Sequence, residues 1–151
     1  MKTDAEYLGN QDLLECHKWG FLASRMVPAS EVLRCYDWAS ERAVAGDCVV
    51  SGFNSRLEQD VLHFLLRGKG KVIVVLARRM YKAIPEEWQQ PLSESRMLII
   101  STTTATRQSR QTAQARNHYI ADLCDTLYIV GATGCSSLNQ IQLMFSKKCV
   151  E

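Results

Sequence analysis

Four groups of small polar or basic residues follow short apolar runs in this sequence, and their side chains are suited to holding a phosphate. A serine hydroxyl hydrogen-bonds a phosphate oxygen, and an arginine guanidinium grips a phosphate with its planar fork. Small residues also let backbone N–H groups approach a phosphate closely. The sequence therefore predicts a phosphate site with the candidate residues Ser24, Arg25, Ser51, Gly52, Arg78, Gly134, Ser136 and Ser137.

A second basic group lies in a predicted helical segment further along the chain. Arg116 and Asn117 fall inside this segment, and Arg107 and Arg110 precede them. We expect Arg116 and Asn117 to join the phosphate site, with the two upstream arginines extending a positive rim. Two plainer interpretations compete. The upstream arginines also suit a solvated helix face, and small polar residues often form only turns and helix N-caps.

The sequence offers little for catalysis or for a metal. It contains no G-x-S-x-G motif, no G-x-x-x-x-G-K-[ST] motif and no cluster with metal-ligand spacing. His17 and His63 sit in apolar or helical surroundings, and His118 has no obvious acidic or nucleophilic partner. Because G-x-G-x-x-G is also absent after the first strand, a dinucleotide cofactor is disfavoured. We therefore expect a non-enzymatic protein without a cofactor or metal.

Apolar runs and helical patterns alternate along the chain and predict the elements that position these residues. Strands are predicted at about 19–23, 48–50, 71–76, 97–100 and 126–130, and helices at about 28–45, 56–67, 111–124 and up to 147. Residues 80–95 hold two prolines and predict short helical turns. This order is typical of an α/β protein with a Rossmann-like, doubly wound, mostly parallel sheet of about five strands in three α/β/α layers. Ligands of such sheets bind at the carboxyl ends of the strands, where the candidate residues lie.

Length and composition indicate one ordinary globular domain. The chain has 151 residues, 46% of them hydrophobic, and a formal net charge of +2, so only local charge clusters bear on a polyanionic partner. We expect an N-terminal arm at 1–18 and a single domain at 19–151. No apolar run approaches the ~20 residues that span a bilayer, and the polar N-terminus predicts no signal peptide. The six cysteines form no C-x-x-C pair, which favours reduced, mostly buried thiols in a cytoplasmic protein without membrane contact.

The order and spacing of several short motifs resemble one known family. The motifs are Y-L-G-N at 7–10, L-L at 13–14, F-L-A-S-R at 21–25, S-G at 51–52, R-N-H-Y-I-A at 116–121 and G-C-S-S-L at 134–138. Together they resemble the central domain of the DNA-processing protein A (DprA/Smf) family, whose pattern has G-[ST]-R, S-G-G-x-x-G-I-D, R-N-x-I-I-A and S-G-[ST]-L. The resemblance covers nearly the whole chain, from about residue 7 to 145.

This resemblance implies a Rossmann-like domain from a superfamily that also holds the LOG nucleotide-processing proteins. It implies a positively charged pocket for single-stranded DNA, a homodimer, and loading of a RecA-type recombinase in bacteria. By position, Ser24 and Arg25 match the phosphate-contacting [ST]-R. The remaining matches are Ser51 and Gly52 to S-G, Arg116 and Asn117 to R-N, and Gly134, Ser136 and Ser137 to the last loop. The sequence departs from the family pattern at Ala23, Arg56, Glu58 and Cys135.

Three functions are compatible with these residues. The first is binding of single-stranded DNA through the strand-end pocket, with an affinity that is mostly electrostatic. The low net charge and the lack of an evident aromatic stacking platform near the pocket count against it. The second is a small-nucleotide sensor that uses the same pocket without catalysis. The third, a nucleotide phosphoribohydrolase of the LOG type, is less favoured because residues 131–140 contain no Glu or Asp for general acid–base catalysis.

Overall fold

The computed structural model describes residues 5–131 and 137–150. Within them, six strands form one sheet: β1 (Glu6–Gly9), β2 (Lys18–Ala23), β3 (Cys48–Ser51), β4 (Lys71–Leu76), β5 (Met97–Ser101) and β6 (Thr126–Val130). The helices are α1 (Ala29–Ala45), α2 (Arg56–Arg67), α3 (Glu86–Ser93), α4 (Arg110–Leu123) and α5 (Ser137–Met144). A short 3₁₀ helix, Gln11–Glu15, joins β1 to β2.

The strand order across the sheet is β1-β5-β4-β3-β2-β6. Strands β2 to β6 are mutually parallel, and β1 pairs with β5 in the antiparallel direction. The predicted fold class, a mostly parallel α/β sheet, is confirmed. β1 adds a strand to the predicted five and lies within the segment expected to be an N-terminal arm. β2 pairs with β3, the next strand in the chain, on one side and with β6, the last strand, on the other. The connections that follow β2 and β6 therefore run to different sides of the sheet, and a crevice opens between the ends of these two strands.

Helices cover both faces of the sheet and bury a core on each. One core joins strand residues such as Val72 and Val74 to Cys35 of α1 and Leu65 of α2. The other joins the alternate strand residues, such as Ile73, to α4 and α5. β4 is therefore buried on both faces, as its unbroken apolar run predicts. The result is the expected three layers, with α1, α2 and α3 on one face and α4 and α5 on the other.

Local capping explains where the helices next to the crevice begin. The Ser55 hydroxyl accepts a hydrogen bond from the Glu58 N–H, and the Glu58 carboxylate accepts one from the Ser55 N–H, which together form a capping box. Ser109 and Thr112 cap the start of α4 in the same reciprocal way. Residues 80–95, predicted as short helical turns, contain the two-turn helix α3 with Pro85 immediately before it. No helix within residues 5–131 and 137–150 has the length and apolarity needed to cross a membrane.

Candidate functional site

Two neighbouring cavities open at the carboxyl edge of the sheet and share the side chain of Gln108. The first, which we call the switch-point cavity, measures about 660 Å³ and is lined by Arg25, Gln108, Ser109, Arg110, Ala113, Gln114, Asn117 and Ser137. The second, which we call the aromatic cavity, measures about 600 Å³ and lies between the end of β3, the segment after β4, and helices α2, α3 and α4. Both volumes fall within the range of about 300–1,000 Å³ typical of small-ligand sites.

Basic side chains and a helix N-terminus give the switch-point cavity a positive character. Arg25 comes from the loop after β2, and Arg110 is the first residue of α4. The backbone N–H groups in the first turn of α4 add partial positive charge at the same place. No carboxylate belongs to the described lining of this cavity. Phosphate oxygens match this chemistry better than any cation or apolar group does.

Asn117 connects this lining to the arginine beneath it. Its side-chain oxygen accepts a hydrogen bond from Arg116 Nε at 3.1 Å. With the oxygen bonded to Arg116, Asn117 meets a ligand through its amide nitrogen, which is a hydrogen-bond donor. Asn117 lines the switch-point cavity, whereas Arg116 lines the aromatic cavity. The neighbouring residues Arg116 and Asn117 therefore serve different cavities.

Arg116 crosses the end of the sheet and lies against Gly52. Its side chain starts on α4 and is buried, with 6% exposed surface. Burial lowers the pKa of Arg116, and the negative charge of Glu58 acts in the opposite direction. Because an arginine pKa starts so high, the guanidinium stays charged at neutral pH. Arg116 thus supplies a fixed positive charge at the wall of the aromatic cavity.

Glu58 holds the two loops of this region together. Its Oε2 accepts a hydrogen bond from the Ala23 N–H at 3.0 Å, and its Oε1 accepts from the N–H groups of Asn54 and Ser55 at 2.9 and 3.1 Å. The side chain is 5% exposed. Glu58 stands where the family pattern has its Asp, and this buried carboxylate fixes the end of β2 that leads into Ser24 and Arg25.

Two aromatic residues in the aromatic cavity were missed by sequence reasoning. The Tyr81 and Trp88 rings meet edge to face, with centroids 5.7 Å apart, and the Arg78 guanidinium lies over the Tyr81 ring at 4.5 Å. Both aromatic residues line the cavity and are partly exposed. No sequence signal could have joined them to the site, because Tyr81 follows β4 in an irregular segment and Trp88 lies on α3.

The predicted site residues divide into four groups. Arg25, Asn117 and Ser137 line the switch-point cavity, and Gly52, Arg78 and Arg116 line the aromatic cavity. The hydroxyls of Ser24 and Ser51 bond within their own loops, to Met26 and to the Phe53 N–H respectively. Gly134 and Ser136 lie outside the described residues. Of the two predicted rim arginines, Arg110 lines the first cavity and Arg107 the second.

A metal centre is not indicated by the described residues. Within 5–131 and 137–150, no three His, Cys, Asp or Glu side chains come together in a way that could hold an ion.

Comparison with protein families matches residues 6–148 to the model of DNA recombination-mediator protein A. The chain belongs to this family. The match confirms the family predicted from the order of the motifs, and with it the predicted role in DNA processing. Among curated proteins, none matches the chain in sequence at a significant level.

Solved structures of the DprA family share the fold. DNA processing protein A from Helicobacter pylori, described for its single-stranded DNA binding mode, is 19% identical, with 96% of this chain and 69% of that chain covered and a TM-score of 0.74. DprA from Streptococcus pneumoniae is 20% identical, with 95% of this chain and 52% of that chain covered and a TM-score of 0.71. The chain thus spans about half of the pneumococcal protein. A protein of another name, the molybdenum cofactor binding protein from Rippkaea orientalis, is 13% identical, with 89% of this chain and 77% of that chain covered and a TM-score of 0.58.

Proposed function

We propose that this DprA-family chain binds the phosphates of single-stranded DNA in the switch-point cavity. One observation carries the proposal. Arg25 and Arg110 come from separate elements and line one cavity whose described lining contains no carboxylate. Two guanidinium groups, the N-terminus of α4 and the Asn117 amide then face a polyanion together. The family membership and the DNA binding described for the Helicobacter pylori relative support the same assignment.

The proposed role is that of a carrier and not of an enzyme. Base release from a nucleotide needs a carboxylate near the sugar, and residues 131–140 contain none. Following the family, we propose that the chain acts as a bacterial, cytoplasmic homodimer that delivers single-stranded DNA to a RecA-type recombinase. A mediator of this kind needs a site that holds the DNA backbone without preference for its sequence.

Anisotropy titrations with labelled oligothymidylate test the proposal. Wild type, Arg25→Ala and Arg110→Ala are titrated at several salt concentrations. For a single strand, each phosphate contact makes the slope of log affinity against log salt concentration steeper by about 0.7, in the negative direction. We expect each variant to bind more weakly and to lose about that much of the slope. Lys69→Ala is the matched control, because it removes one positive charge from the exposed turn between α2 and β4, at the opposite edge of the sheet.

Two results would contradict the proposal. One is an absence of binding by the wild type at low salt. The other is an equal loss of affinity in Lys69→Ala and Arg25→Ala, which would mean that overall charge and not this cavity attracts the DNA. Circular dichroism of each variant shows whether a loss of binding reflects a loss of fold.

A free nucleotide is the second candidate ligand, and the size of the cavities favours it. Volumes of about 600 and 660 Å³ each suit one small ligand and do not require a long strand. A site that binds a strand holds longer oligomers more tightly, because they make more phosphate contacts. A site that binds one nucleotide has the same affinity for oligomers of every length. Titration with oligomers of increasing length therefore separates the two ligands.

A further inference from the structure

The aromatic cavity differs in chemistry from the switch-point cavity beside it. Its lining includes three planar groups close together: the rings of Tyr81 and Trp88 and the guanidinium of Arg78. Aromatic rings and arginine planes are the groups on which nucleic-acid bases stack in single-strand binding sites. Phe53 and Leu62 add apolar surface to the same lining. The cavity thus suits a flat, mostly apolar group that carries polar atoms at its edges.

Charge is distributed unevenly around this cavity. The lining includes Arg78, Arg107 and Arg116, which come from the segment after β4, the loop before α4 and α4 itself. Glu87 on α3, next to Trp88, is the one carboxylate among the described lining residues. A phosphate is attracted to the arginines and repelled near Glu87. The part of the cavity bounded by α3 therefore favours a neutral group.

The segment that carries Arg78 and leads to Tyr81 is held in place by hydrogen bonds to the next loop. The Ser101 hydroxyl donates to the Arg78 carbonyl at 2.7 Å, and the Arg79 N–H donates to the Ala105 carbonyl at 2.7 Å. The Arg78 Nε also donates to the Arg79 carbonyl at 3.1 Å. Because this backbone is fixed, the planar groups are preorganised for a ligand, and less entropy is lost on binding.

The two cavities are close enough to be served by one strand. Gln108 lines both, and Ser109, the next residue, caps α4 in the wall of the switch-point cavity. Neighbouring nucleotides of a strand are joined through one phosphate. A strand held at the switch-point cavity can therefore place an adjacent nucleotide over the aromatic cavity.

We propose that the aromatic cavity is a nucleobase subsite. One base of the bound single strand leaves the stack and inserts beside Tyr81 and Trp88, and a flanking phosphate meets Arg78 and Arg107. The proposal rests on the proposed function, because the switch-point cavity holds the rest of the strand. It adds that affinity depends on the presence of bases as well as phosphates.

Photo-crosslinking tests the subsite in the unmodified protein. Oligomers carrying iodouracil are bound to the wild-type chain and irradiated, and the modified peptides are identified by mass spectrometry. Excited iodouracil crosslinks efficiently to an aromatic ring on which it stacks. We expect the crosslinks to fall on Tyr81 or Trp88. Crosslinks confined to other residues of a DNA-binding protein would overturn the subsite while leaving the proposed function intact.

Affinity measurements with abasic DNA give a second test. The wild type is expected to bind oligothymidylate more tightly than an oligomer of equal length with abasic sites at its centre, by a factor of about 5–100. In Tyr81→Leu and Trp88→Leu this factor should fall towards one, with the salt dependence unchanged. Tyr7→Leu is the control, because it removes a partly exposed ring from β1 at the far edge of the sheet. In this variant the ratio of the affinity for oligothymidylate to the affinity for the abasic oligomer should equal that of the wild type.

The outcomes separate the two proposals. A wild type that binds neither oligomer overturns both. A wild type that binds both oligomers equally overturns the subsite alone. A factor that drops in Arg25→Ala but persists in Tyr81→Leu also overturns it, since base recognition would then belong to the switch-point cavity.

Discussion

The Arg116 guanidinium lies against the α-carbon of Gly52, although Arg116 belongs to a helix on one face of the sheet and Gly52 leads to a helix on the other. A β-carbon built on Gly52 would stand 2.7 Å from Nε, Cζ and Nη1 of Arg116. Arg116 belongs to α4, which covers one face of the sheet, and Gly52 leads from β3 towards α2 on the other face. The absence of a side chain at Gly52 therefore allows a buried arginine to cross the end of the sheet.

Substitution of Gly52 by Ala tests this contact. The added methyl group forces the Arg116 guanidinium to move, and overpacking of this kind costs about 1–3 kcal/mol. We expect a loss of that size in the free energy of unfolding, measured by urea denaturation. We also expect weaker binding of single-stranded DNA, because the shifted arginine no longer supports Asn117 or the wall of the aromatic cavity.

Gly46→Ala is the matched control for this substitution. Gly46 has φ of 73° and ends α1, and its added β-carbon would meet nothing closer than 3.7 Å. The left-handed backbone conformation alone should cost about 1–2 kcal/mol for alanine. Stability should therefore fall in both variants, whereas DNA binding should fall only in Gly52→Ala. Equal binding by the two variants would mean that the position of Arg116 is unimportant for the ligand.

Glu58→Gln tests the carboxylate that joins the ends of β2 and β3. An amide presents one oxygen and one amino group, so it cannot accept from both the Ala23 N–H and the N–H groups of Asn54 and Ser55. A buried donor left without an acceptor costs about 1–3 kcal/mol. Urea denaturation should show this loss. Glu41→Gln, at an exposed position of α1, should change stability by less than about 0.5 kcal/mol.

Asp125 gives the protein a pH-dependent contribution to stability. Its carboxylate accepts a hydrogen bond from the Lys18 N–H at 2.8 Å and lies 3.4 Å from Lys18 Nζ. The hydrogen bond, followed by the lysine charge, lowers the pKa of Asp125 below its ordinary value of 3.8. A lowered carboxyl pKa stabilises the folded state above that value, and the gain is lost as pH falls through the folded-state pKa.

Asp125→Asn should therefore unfold at a lower urea concentration at pH 7. The loss should be small, about 0.5 kcal/mol, because the carboxylate is half exposed and its charge is screened by water. The difference between wild type and variant should stay constant down to about pH 5 and shrink below pH 4. A difference that stays the same at pH 3 would show that the shape of the side chain matters and not its charge.

The cysteines should differ strongly in reactivity. Burial raises the pKa of Cys48 to about 12 and that of Cys124 to about 11, and it also raises the pKa of Cys35. Few thiolates exist at these positions near pH 8, and the thiolate is the reactive form. Among the five cysteines in the part of the chain that the structure describes, we expect iodoacetamide to modify the partly exposed Cys16 and Cys149 of the folded protein first, as measured by mass spectrometry.

Denatured protein provides the control for the cysteine measurement, because all of its thiols are accessible and should react at similar rates. Modification of Cys48 in the folded protein at the rate of Cys16 would contradict the prediction. It would indicate frequent local opening of β3, at whose first position Cys48 lies.

The elements of the parallel sheet were predictable because each depends on a local pattern. β4 is an unbroken β-branched run buried on both faces, and α1 begins directly after Pro28 and ends at Gly46. The edge strand β1 was not predicted. Its four residues are all exposed and pair only with β5, so no alternation of buried and exposed residues marks them as a strand.

The order of the parallel strands and of the main helices, the family, and the residue types available for phosphate binding could be predicted from the sequence, because periodicity and motif order are properties of neighbouring residues. Tertiary structure decided how those residues are grouped. Arg116 and Asn117 are adjacent in the chain yet line different cavities, since side chains on a helix project in different directions. Tyr81 and Trp88 meet Arg78 because the segment after β4 and helix α3 pack at the carboxyl edge of the sheet. Contacts of this kind depend on how layers pack across the sheet, and no local pattern in the chain encodes them.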